Sequence, residues 1–318
     1  MKSPIISVVM SVYNGELFLR DSIKSILNQT FRDFEYIIVN DGSIDSSEQI
    51  IKNFNDTRIV YLKQTNKGLS EALNEGINYS SGKYIARMDD DDIAKPNRLA
   101  VQLRFMENNT NYVTVGSTAD FIDEDGTFLY SSKSSLTPIQ LKELLPESSP
   151  FIHSSVLMRT GNVRAVGGYH NVGPYFYQED LLLWIDLAKT GEFYNIPEPL
   201  IKFRITSSSN QQRSKNYFSY QMTIVKEYYR TGKLDSEKII NIKPEWGSAS
   251  NKVKKSNYYL KIGSIFLYQN YNKKTARRNL LKAIKSNIFN KKALAYLAFS
   301  FLPQICTDYI RKLSDSRK

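Results

Sequence analysis

The stretch Lys83-Tyr84-Ile85-Ala86-Arg87-Met88-Asp89-Asp90-Asp91-Asp92 joins a run of strand-forming residues to four consecutive aspartates. Like charges crowded at the end of a strand repel each other, and a bound cation relieves that repulsion. Carboxylate oxygens suit Mg²⁺ or Mn²⁺, which proteins commonly share with substrate phosphates. The stretch therefore predicts a divalent-metal site for a phosphorylated substrate. The alternative is a solvated acidic turn in which Asp92 caps the next helix.

Upstream of the aspartates, apolar runs alternate with segments of helical spacing. The predicted strands are residues 5–10, 34–39, 59–62 and 84–88. This alternation is typical of an α/β fold with a parallel sheet covered by helices on both faces. Ligands of such sheets bind beyond the carboxyl ends of the strands. We therefore expect Tyr13, Asp41 and residues 89–92 to lie along one edge of the sheet.

After residue 110 the pattern is less regular. The predicted elements are strands at 112–116, 127–130, 152–158, 193–196 and 200–205 and a short helix at 136–145. His153 falls on one of these strands, and Glu179 and Asp180 open a helix with a broad apolar face. Residues 206–214, rich in Ser, Asn and Gln, read as a flexible link. We therefore predict one domain at 1–210 and a helical region at 211–318.

The positive charge of the chain lies at its C-terminal end. The net charge is +11, and residues 251–318 hold 16 of the 43 Lys and Arg but two of the 32 Asp and Glu. Predicted helices at 251–270, 275–287 and 291–310 carry Lys and Arg on one side and apolar or aromatic residues on the other. This region could pack on the first domain, bind nucleic acid or bind an anionic membrane. The mixture of residues favours the membrane, and no recognised nucleic-acid-binding motif is present.

Several classes of protein are disfavoured by composition. The single cysteine, Cys306, cannot form a disulfide within the chain, which fits a reducing cytoplasm. Residues 1–4 lead directly into a strand without the pattern of a signal peptide. The longest apolar run, 293–305, is too short to span a bilayer and contains Pro303. We therefore expect a cytoplasmic protein.

Seven stretches, taken in order, resemble the motifs of the family 2 inverting glycosyltransferases. They are residues 7–14, 25–31, 39–43, 66–70, 86–92 and 167–169 and the pair Glu179-Asp180. The resemblance covers roughly residues 5–205, and its strength lies in the joint match. It implies the GT-A fold, a mostly parallel central sheet flanked by helices, here followed by a C-terminal helical extension. It also implies a nucleotide-binding half at 1–110 and an acceptor half at 111–210.

The resemblance further implies that a nucleotide sugar, usually a UDP-sugar, binds at the sheet edge. The nucleotide-binding residues that it implies are Val12, Tyr13, Asn14, Asp41, Asn66, Asp89 and Asp90. It makes residues 89–91 the family's DXD element, with Asp91 and Asp89 on Mn²⁺ or Mg²⁺. The middle residue of that element is usually small and uncharged in the family, so Asp90 leaves open which carboxylate is the ligand.

On the acceptor side, the resemblance makes Asp180 the catalytic base. An acceptor hydroxyl is a poor nucleophile until a base takes its proton, and a carboxylate at a helix start can do so. Direct displacement with one base inverts the anomeric centre and needs no covalent intermediate. The other implied acceptor-side residues are Glu179, His153 and Gly168. His170 is expected in a loop at the mouth of the cleft.

Each of these residues also has a structural interpretation. The alternatives are a turn at Asp41, a helix cap at Asn66, packing of Tyr13, a favourable helix dipole for Glu179 and Asp180, a structural role for His153 and a special backbone conformation at Gly168. Taken singly, several of these alternatives compete well with the functional interpretation. The joint occurrence of the motifs favours a site.

The predicted function is transfer of a sugar to a hydroxyl of a glycan or polyprenyl-diphosphate-linked acceptor in surface-polysaccharide synthesis. The protein is expected to be peripheral at the inner face of the cell membrane. A sugar nucleotidyltransferase would need a glycine-rich, basic loop after the first strand, and residues 11–15 hold one glycine and no basic residue. A catalytically silent nucleotide-sugar or membrane-binding module would have lost its acidic motifs, and both motifs are intact.

Overall fold

The computed structural model describes residues 3–173, 175–207, 215–242, 250–269, 272–306 and 309. The strands, β1 to β9, are Ile6–Val12, Phe34–Asp41, Ile59–Gln64, Tyr84–Met88, Ile93–Ala94, Tyr112–Ile122, Phe128–Ser131, Leu157–Arg159 and Glu192–Arg204. The helices, α1 to α12, are Leu19–Leu27, Ser47–Lys52, Leu69–Tyr79, Arg98–Asn108, Pro138–Glu143, Thr160–Ala165, Glu179–Leu187, Lys215–Thr231, Ser236–Ile240, Asn251–Tyr268, Lys273–Ser286 and Lys291–Phe299.

The strands form one mixed sheet in the order β3-β2-β1-β4-β8-β6-β9-β5, with β7 paired to β6. Strand β1 is parallel to both β2 and β4, and β2 is parallel to β3. Strand β8 is antiparallel to β4 and β6. The predicted parallel sheet of the N-terminal half is therefore confirmed, and the carboxyl ends of β1, β2 and β4 share one edge.

Helices cover both faces of this sheet because side chains alternate along each strand. Val8 and Met10 of β1 pack in one apolar cluster with Ile23 of α1. Val9 packs in a second cluster with Leu73 of α3 and with residues of α7. Strands buried on both faces have continuous apolar sequences, and that property made the first strands recognisable.

Two predictions for the second half of the sheet are wrong. His153–Ser155 forms a 3₁₀ turn, closed by the Ser155 amide donating to Ile152 O (2.8 Å), and strand β8 begins only at Leu157. The predicted strands at 193–196 and 200–205 are one strand, β9. A proline has no amide proton and therefore often interrupts a strand. Pro197 is exposed, however, and β9 continues through it. The proline therefore marked no strand boundary.

The chain forms two compact units. The first contains the described parts of 1–120, 131–203 and 215–244, and the second those of 121–130, 204–214 and 245–318. The predicted boundary at 210 does not coincide with this division, because Val225 and Tyr228 of α8 are buried in the apolar cluster that includes α7. Leu129 of β7 packs instead with Tyr258 of α10.

The predicted C-terminal helices at 251–270 and 275–287 correspond to α10 and α11. The helix predicted for 291–310 ends at Phe299, and the end of that prediction lies outside the described residues, as does most of the link predicted at 206–214. Over the ranges that the structure describes, no helix is both long and apolar enough to cross a membrane.

Candidate active site

The loop between β1 and α1 is tied by hydrogen bonds to the loop between β2 and α2. The Asn14 amide donates to Ser43 Oγ (3.1 Å), and the Ile44 amide donates to Asn14 Oδ1 (2.9 Å). The Gly15 amide donates to Ser47 Oγ (2.9 Å). Asn14 has a left-handed backbone with φ of 54°, a conformation that asparagine adopts more readily than most residues. Both loops follow neighbouring parallel strands and meet at the carboxyl edge, as predicted.

Three predicted nucleotide-binding residues differ in exposure at this edge. Val12 is buried at the end of β1, Tyr13 is half exposed, and Asn66 is exposed in the loop before α3. The helix-cap interpretation of Asn66 is wrong, because the residue that caps α3 is Gly68. Tyr13 and Asn66 therefore present side-chain surface to solvent, whereas the side chain of Val12 is packed in the core.

Asp41 joins the ends of β2 and β3. Its Oδ1 accepts hydrogen bonds from Gln64 Nε2 (2.7 Å) and the Lys67 amide (2.8 Å), and its Oδ2 accepts one from the Gly68 amide (2.9 Å). The carboxylate is buried. Asp41 thus fixes the loop that carries Asn66, and its predicted contact with a nucleobase stays a prediction.

The carboxylates of Asp89, Asp91 and Asp92 form one cluster. Each offers an oxygen, and these oxygens lie within 4.8 Å of one another. Asp92 is fully buried and accepts a hydrogen bond from the Ser154 hydroxyl. The solvated turn with Asp92 as a helix cap is therefore wrong, since α4 begins six residues later, at Arg98, and its N-cap is Asn97. The donor set of the cluster fits a hard divalent cation.

Two ionisable side chains, Asp90 and Arg87, adjoin this carboxylate cluster. Asp90 is not a member of the cluster, and its carboxylate lies where a side chain on Gly15 would project. Burial, with the charges of Asp91 and Asp89, raises the pKa of Asp90. Arg87 is buried and forms an ion pair with Asp89. Burial disfavours the charge of Arg87, but the attraction of Asp89 outweighs it and raises the pKa of that guanidinium.

Asp180 lies in the first turn of α7 with both carboxylate oxygens engaged. The Leu181 amide donates to Oδ1 (2.8 Å), and the Ser149 hydroxyl donates to Oδ2 (2.9 Å). Trp184 Nε1 donates to Ser149 Oγ (3.1 Å) and lies 3.4 Å from Asp180 Oδ2. Ser149 and Trp184 together hold the carboxylate in one orientation, as a catalytic base requires.

The Glu179-Asp180 pair lies in an environment of low polarity. Burial and the charge of Asp180 raise the pKa of Glu179 to about 8. Their combined effect is larger than that of Arg87, whose positive charge lowers this pKa. Burial also raises the pKa of Asp180, against the hydrogen bond from Ser149. Asp89 contributes to the raised pKa of Glu179. The base candidate and the carboxylate cluster therefore share one electrostatic environment.

Ser149→Ala is expected to move the acidic limb of the kcat/KM pH profile to higher pH. A hydrogen bond to the charged carboxylate favours ionisation, so its removal raises the pKa of Asp180 further. The profile should be measured with the acceptor at limiting concentration, so that it reports Asp180 in the acceptor-free protein, and activity on the acidic side should fall several-fold. Ser149→Thr keeps a hydroxyl and serves as the matched control. An identical acidic limb in Ser149→Ala and the wild type would contradict the assigned contact.

Glu179→Gln is expected to flatten the dependence of stability on pH. The folded protein holds the Glu179 proton more tightly than the unfolded chain, so the free energy of unfolding falls as pH rises from about 4.5 to about 8. In the variant, the decrease in the free energy of unfolding over this pH range should be smaller by more than about 1 kcal/mol. Urea unfolding across that range measures it, with exposed Glu143→Gln as control. Equal slopes for Glu179→Gln and the wild type would contradict the buried, protonated carboxyl.

His153 and Gly168 are linked through Tyr169. The Tyr169 hydroxyl lies 2.6 Å from His153 Nε2, and burial lowers the pKa of His153. The ring of His153 contacts that of Trp184 edge-on, with 5.9 Å between centroids. Asn74 of α3 bonds both the amide and the carbonyl of Tyr169 (2.8 and 2.7 Å). A Cβ at Gly168, where φ is 74°, would lie 2.5 Å from Asn74 Oδ1, so this glycine permits the close approach.

His170 was expected in a loop at the cleft mouth, and its side chain contacts two residues of the core. His170 Nε2 lies 2.8 Å from Asp186 Oδ2 and 3.0 Å from the Tyr228 hydroxyl. Tyr228 also donates to Asp186 (2.7 Å). These contacts join the loop to α7 and α8.

Several residues of the site were given no individual role from the sequence, although Asp92 lies in the stretch predicted to bind a divalent metal. They are Arg87, Asp92, Ser149, Tyr169 and Trp184. Arg87 and Asp92 stand within the acidic motif, so a signal was present, but only the contacts of the folded chain distinguish the four aspartates. Ser149 lies 31 residues from Asp180 in a segment without a motif, and nothing in the sequence marks it.

Residues 7–167 match the family described as glycosyl transferase family 2. The chain belongs to glycosyl transferase family 2. A Bacillus subtilis protein named as the glycosyltransferase EpsE is 33% identical over 219 residues, which are 67% of this chain and 78% of EpsE. A Methanocaldococcus jannaschii protein named as a glycosyltransferase is 34% identical over 241 residues, 73% of this chain and 82% of that protein.

Solved structures of Staphylococcus aureus TarS resemble this family 2 chain in fold. The structure of TarS residues 1–349 with UDP-GlcNAc has a TM-score of 0.58 and 13% sequence identity, covering 96% of this chain and 91% of that one. TarS residues 1–349 with UDP give a TM-score of 0.57. The predicted GT-A fold with C-terminal helices is thereby confirmed. The chain is accordingly a glycosyltransferase.

Proposed function

We propose that this protein is an inverting, metal-dependent glycosyltransferase that moves a sugar from a nucleotide sugar to an acceptor hydroxyl. The observation that carries the proposal is the pairing of a three-carboxylate cluster, Asp89, Asp91 and Asp92, with a separately held carboxylate, Asp180. Asp89 and Arg87 both act on the pKa of Glu179, the neighbour of Asp180. Contacts also join the two groups. Ser154 donates to Asp92, and the ring of its neighbour His153 contacts that of Trp184. Trp184 Nε1 lies 3.4 Å from Asp180 Oδ2.

The donor is a UDP-sugar in this proposal. The complexes of TarS with UDP-GlcNAc and UDP support this nucleotide, through a shared fold. The exposed Tyr13 and Asn66 and the loops that follow β1 and β2 provide the surface for the nucleoside. Arg87 Nε is buried and has no hydrogen-bond acceptor among the described residues, which favours an anionic ligand nearby.

The chemistry needs a counter-charge for the leaving diphosphate. Asp89, Asp91 and Asp92 would hold Mn²⁺ or Mg²⁺, which stabilises the negative charge that develops on the departing nucleoside diphosphate. Arg87, ion-paired to Asp89, orients that carboxylate. Asp90, next to Gly15, lies on the side of the nucleotide loop, in keeping with its assignment to nucleotide binding.

Asp180 acts as the base in this scheme. It takes the proton of the acceptor hydroxyl while that oxygen bonds to the anomeric carbon, and the bond from this carbon to the diphosphate breaks on the opposite face. One displacement of this kind inverts the anomeric centre. Ser149 and Trp184 fix the direction of the carboxylate. The raised pKa of Glu179 favours its protonated form, which can donate a hydrogen bond to the acceptor. His153 and Gly168 are assigned to the same acceptor side.

The acceptor is a glycan, free or linked to a polyprenyl diphosphate, in surface-polysaccharide synthesis. The support is the charge of residues 251–306, which contain 12 Lys and Arg and no Asp or Glu. Such a surface favours the anionic, cytoplasmic face of the cell membrane, where lipid-linked glycans are reached by a peripheral enzyme. We assign no nucleic-acid partner.

The proposal is tested by measuring nucleotide release from UDP-, GDP-, dTDP- and CMP-sugars with Mn²⁺ and a lipid-linked or free glycan acceptor. We expect release from one donor class, dependent on the cation and increased by the acceptor. Product analysis by NMR should give the inverted anomer. Nucleotide binding without release from any donor would contradict the proposal and favour a silent binding module.

A further inference from the structure

Helix α12 turns apolar side chains away from the unit to which it belongs. Among its residues, only Ala293 is buried. Its outer face carries Leu294 and Ala298, both exposed. Phe301 lies beyond the end of the helix, with the Arg277 guanidinium 4.0 Å from the centre of its ring. The spacing of Leu294 and Ala298 places both on one side of the helix. An exposed apolar face of this kind marks an interaction surface.

The loop between α11 and α12 exposes two further apolar side chains. Ile288 is 64% exposed and Phe289 is 82% exposed. Their positions are fixed, because the Phe289 amide donates to Asn287 Oδ1 (3.1 Å) and the Lys291 amide donates to Phe289 O (2.8 Å). Two large apolar side chains are thus held in solvent by an ordered backbone.

The loop is also anchored to the neighbouring helices. Asn290 Nδ2 donates to Ser256 Oγ of α10 (2.9 Å), and Asn290 Oδ1 accepts from the Ala293 amide (3.1 Å). Ser256 in turn donates to Ala283 O of α11 (2.8 Å). The exposure of Ile288 and Phe289 is therefore built into the fold of this unit.

Lysines surround the apolar residues. Lys285, Lys291 and Lys292 are exposed on either side of the loop. No Asp or Glu occurs between residues 251 and 306, so nothing in that stretch neutralises them. Apolar and aromatic side chains flanked by lysines are the composition of a surface that enters the headgroup region of an anionic bilayer.

We propose that Ile288, Phe289, Leu294 and Ala298, called here the apolar ridge, dock this protein onto an anionic lipid bilayer. This use of the ridge rests on the proposed function, which supplies a lipid-linked acceptor at that surface. A second copy of the chain fits less well, because a symmetric contact would bring the same lysines of both copies face to face. The bilayer instead meets both the apolar residues and the positive charges.

The test is sedimentation of the full chain with vesicles of equal parts phosphatidylcholine and phosphatidylglycerol, and with vesicles of phosphatidylcholine alone. We expect binding to the anionic vesicles only. The double variant I288S/F289S should weaken it at least about tenfold through loss of apolar insertion. The double variant K291Q/K292Q should weaken it by about tenfold or more, and salt should reduce the difference.

The matched control is I139S/I240S, which changes two side chains of similar exposure, 68% and 81%, in α5 and α9. It should bind like the wild type, and thermal unfolding should be near wild-type for all variants because every changed residue is exposed. The inference is overturned if anionic vesicles do not bind, if I288S/F289S binds like the control, or if sedimentation velocity shows that I288S/F289S dissociates an oligomer instead.

The vesicle measurement uses neither donor nor acceptor, so its outcome is independent of the proposed reaction. Nucleotide release by I288S/F289S without vesicles should equal that of the wild type. Loss of vesicle binding with intact release supports the ridge as a docking surface. Intact vesicle binding in a protein that releases no nucleotide would refute the proposed function and leave the ridge standing.

Discussion

Asp180→Asn is expected to lower the rate of sugar transfer by about 10³-fold while leaving nucleotide binding near that of the wild type. The amide keeps the shape of the side chain but cannot take the proton of the acceptor hydroxyl, and a positioned base contributes factors of about 10²–10⁴. The kinetics should show the loss in kcat, since the proton is transferred in the step after both substrates are bound.

The control for Asp180→Asn is Glu237→Gln, which removes a carboxylate from the first turn of α9. It should have wild-type kinetics, because only the position of Asp180 beside Ser149 and Trp184 is proposed to be catalytic. Activity of Asp180→Asn within tenfold of the wild type would remove Asp180 as the base and leave Glu179 as the next candidate.

Asp91→Asn and Asp92→Asn are each expected to weaken Mn²⁺ binding by at least about 100-fold. Loss of a residue that only hydrogen-bonds to a metal ligand weakens binding by about 10–100-fold, so loss of a ligand itself should weaken it more. Both carboxylates belong to the cluster with Asp89, and an amide oxygen is a weaker ligand for a hard cation. The rate of sugar transfer should fall by about 10²–10³-fold, which is the usual effect of removing one group that stabilises charge in the transition state. Electron paramagnetic resonance of bound Mn²⁺ measures the first effect without any substrate.

Asp90→Asn provides the comparison within the same motif. Its carboxylate lies against Gly15, outside the cluster, so the variant should bind Mn²⁺ like the wild type and change nucleotide affinity instead. Loss of Mn²⁺ in Asp90→Asn with retention in Asp92→Asn would contradict the assignment of the ligands and would make Asp90 the metal-binding residue.

The first part of the fold was predictable because its strands are buried on both faces. Continuous apolar runs such as residues 34–39 identify such strands, and the polar residues that follow them fall at the carboxyl edge of a parallel sheet. Asp41 and the aspartates after β4 could therefore be placed at the edge without a structure. The roles of single carboxylates there could not, since they depend on which neighbour each one meets.

The second half was harder because its contacts join distant segments. His153 lies in a stretch whose apolar residues suit a strand, but Ser154 and Ser155 are buried and hydrogen-bonded in a 3₁₀ turn. Local propensity gives no sign of such partners. In the same way, α8 reads as one of the C-terminal helices, and the burial of Val225 and Tyr228 in the cluster that includes α7 assigns it to the first unit.

The most direct test of the account is a thermal-shift comparison of the wild type with UDP, GDP, dTDP and CMP, each with and without Mn²⁺. A ligand that binds only the folded protein raises its melting temperature. The account predicts a rise with UDP that requires Mn²⁺ and is absent in Asp91→Asn. A rise of equal size without the cation, or no rise with any of the four nucleotides, would contradict it.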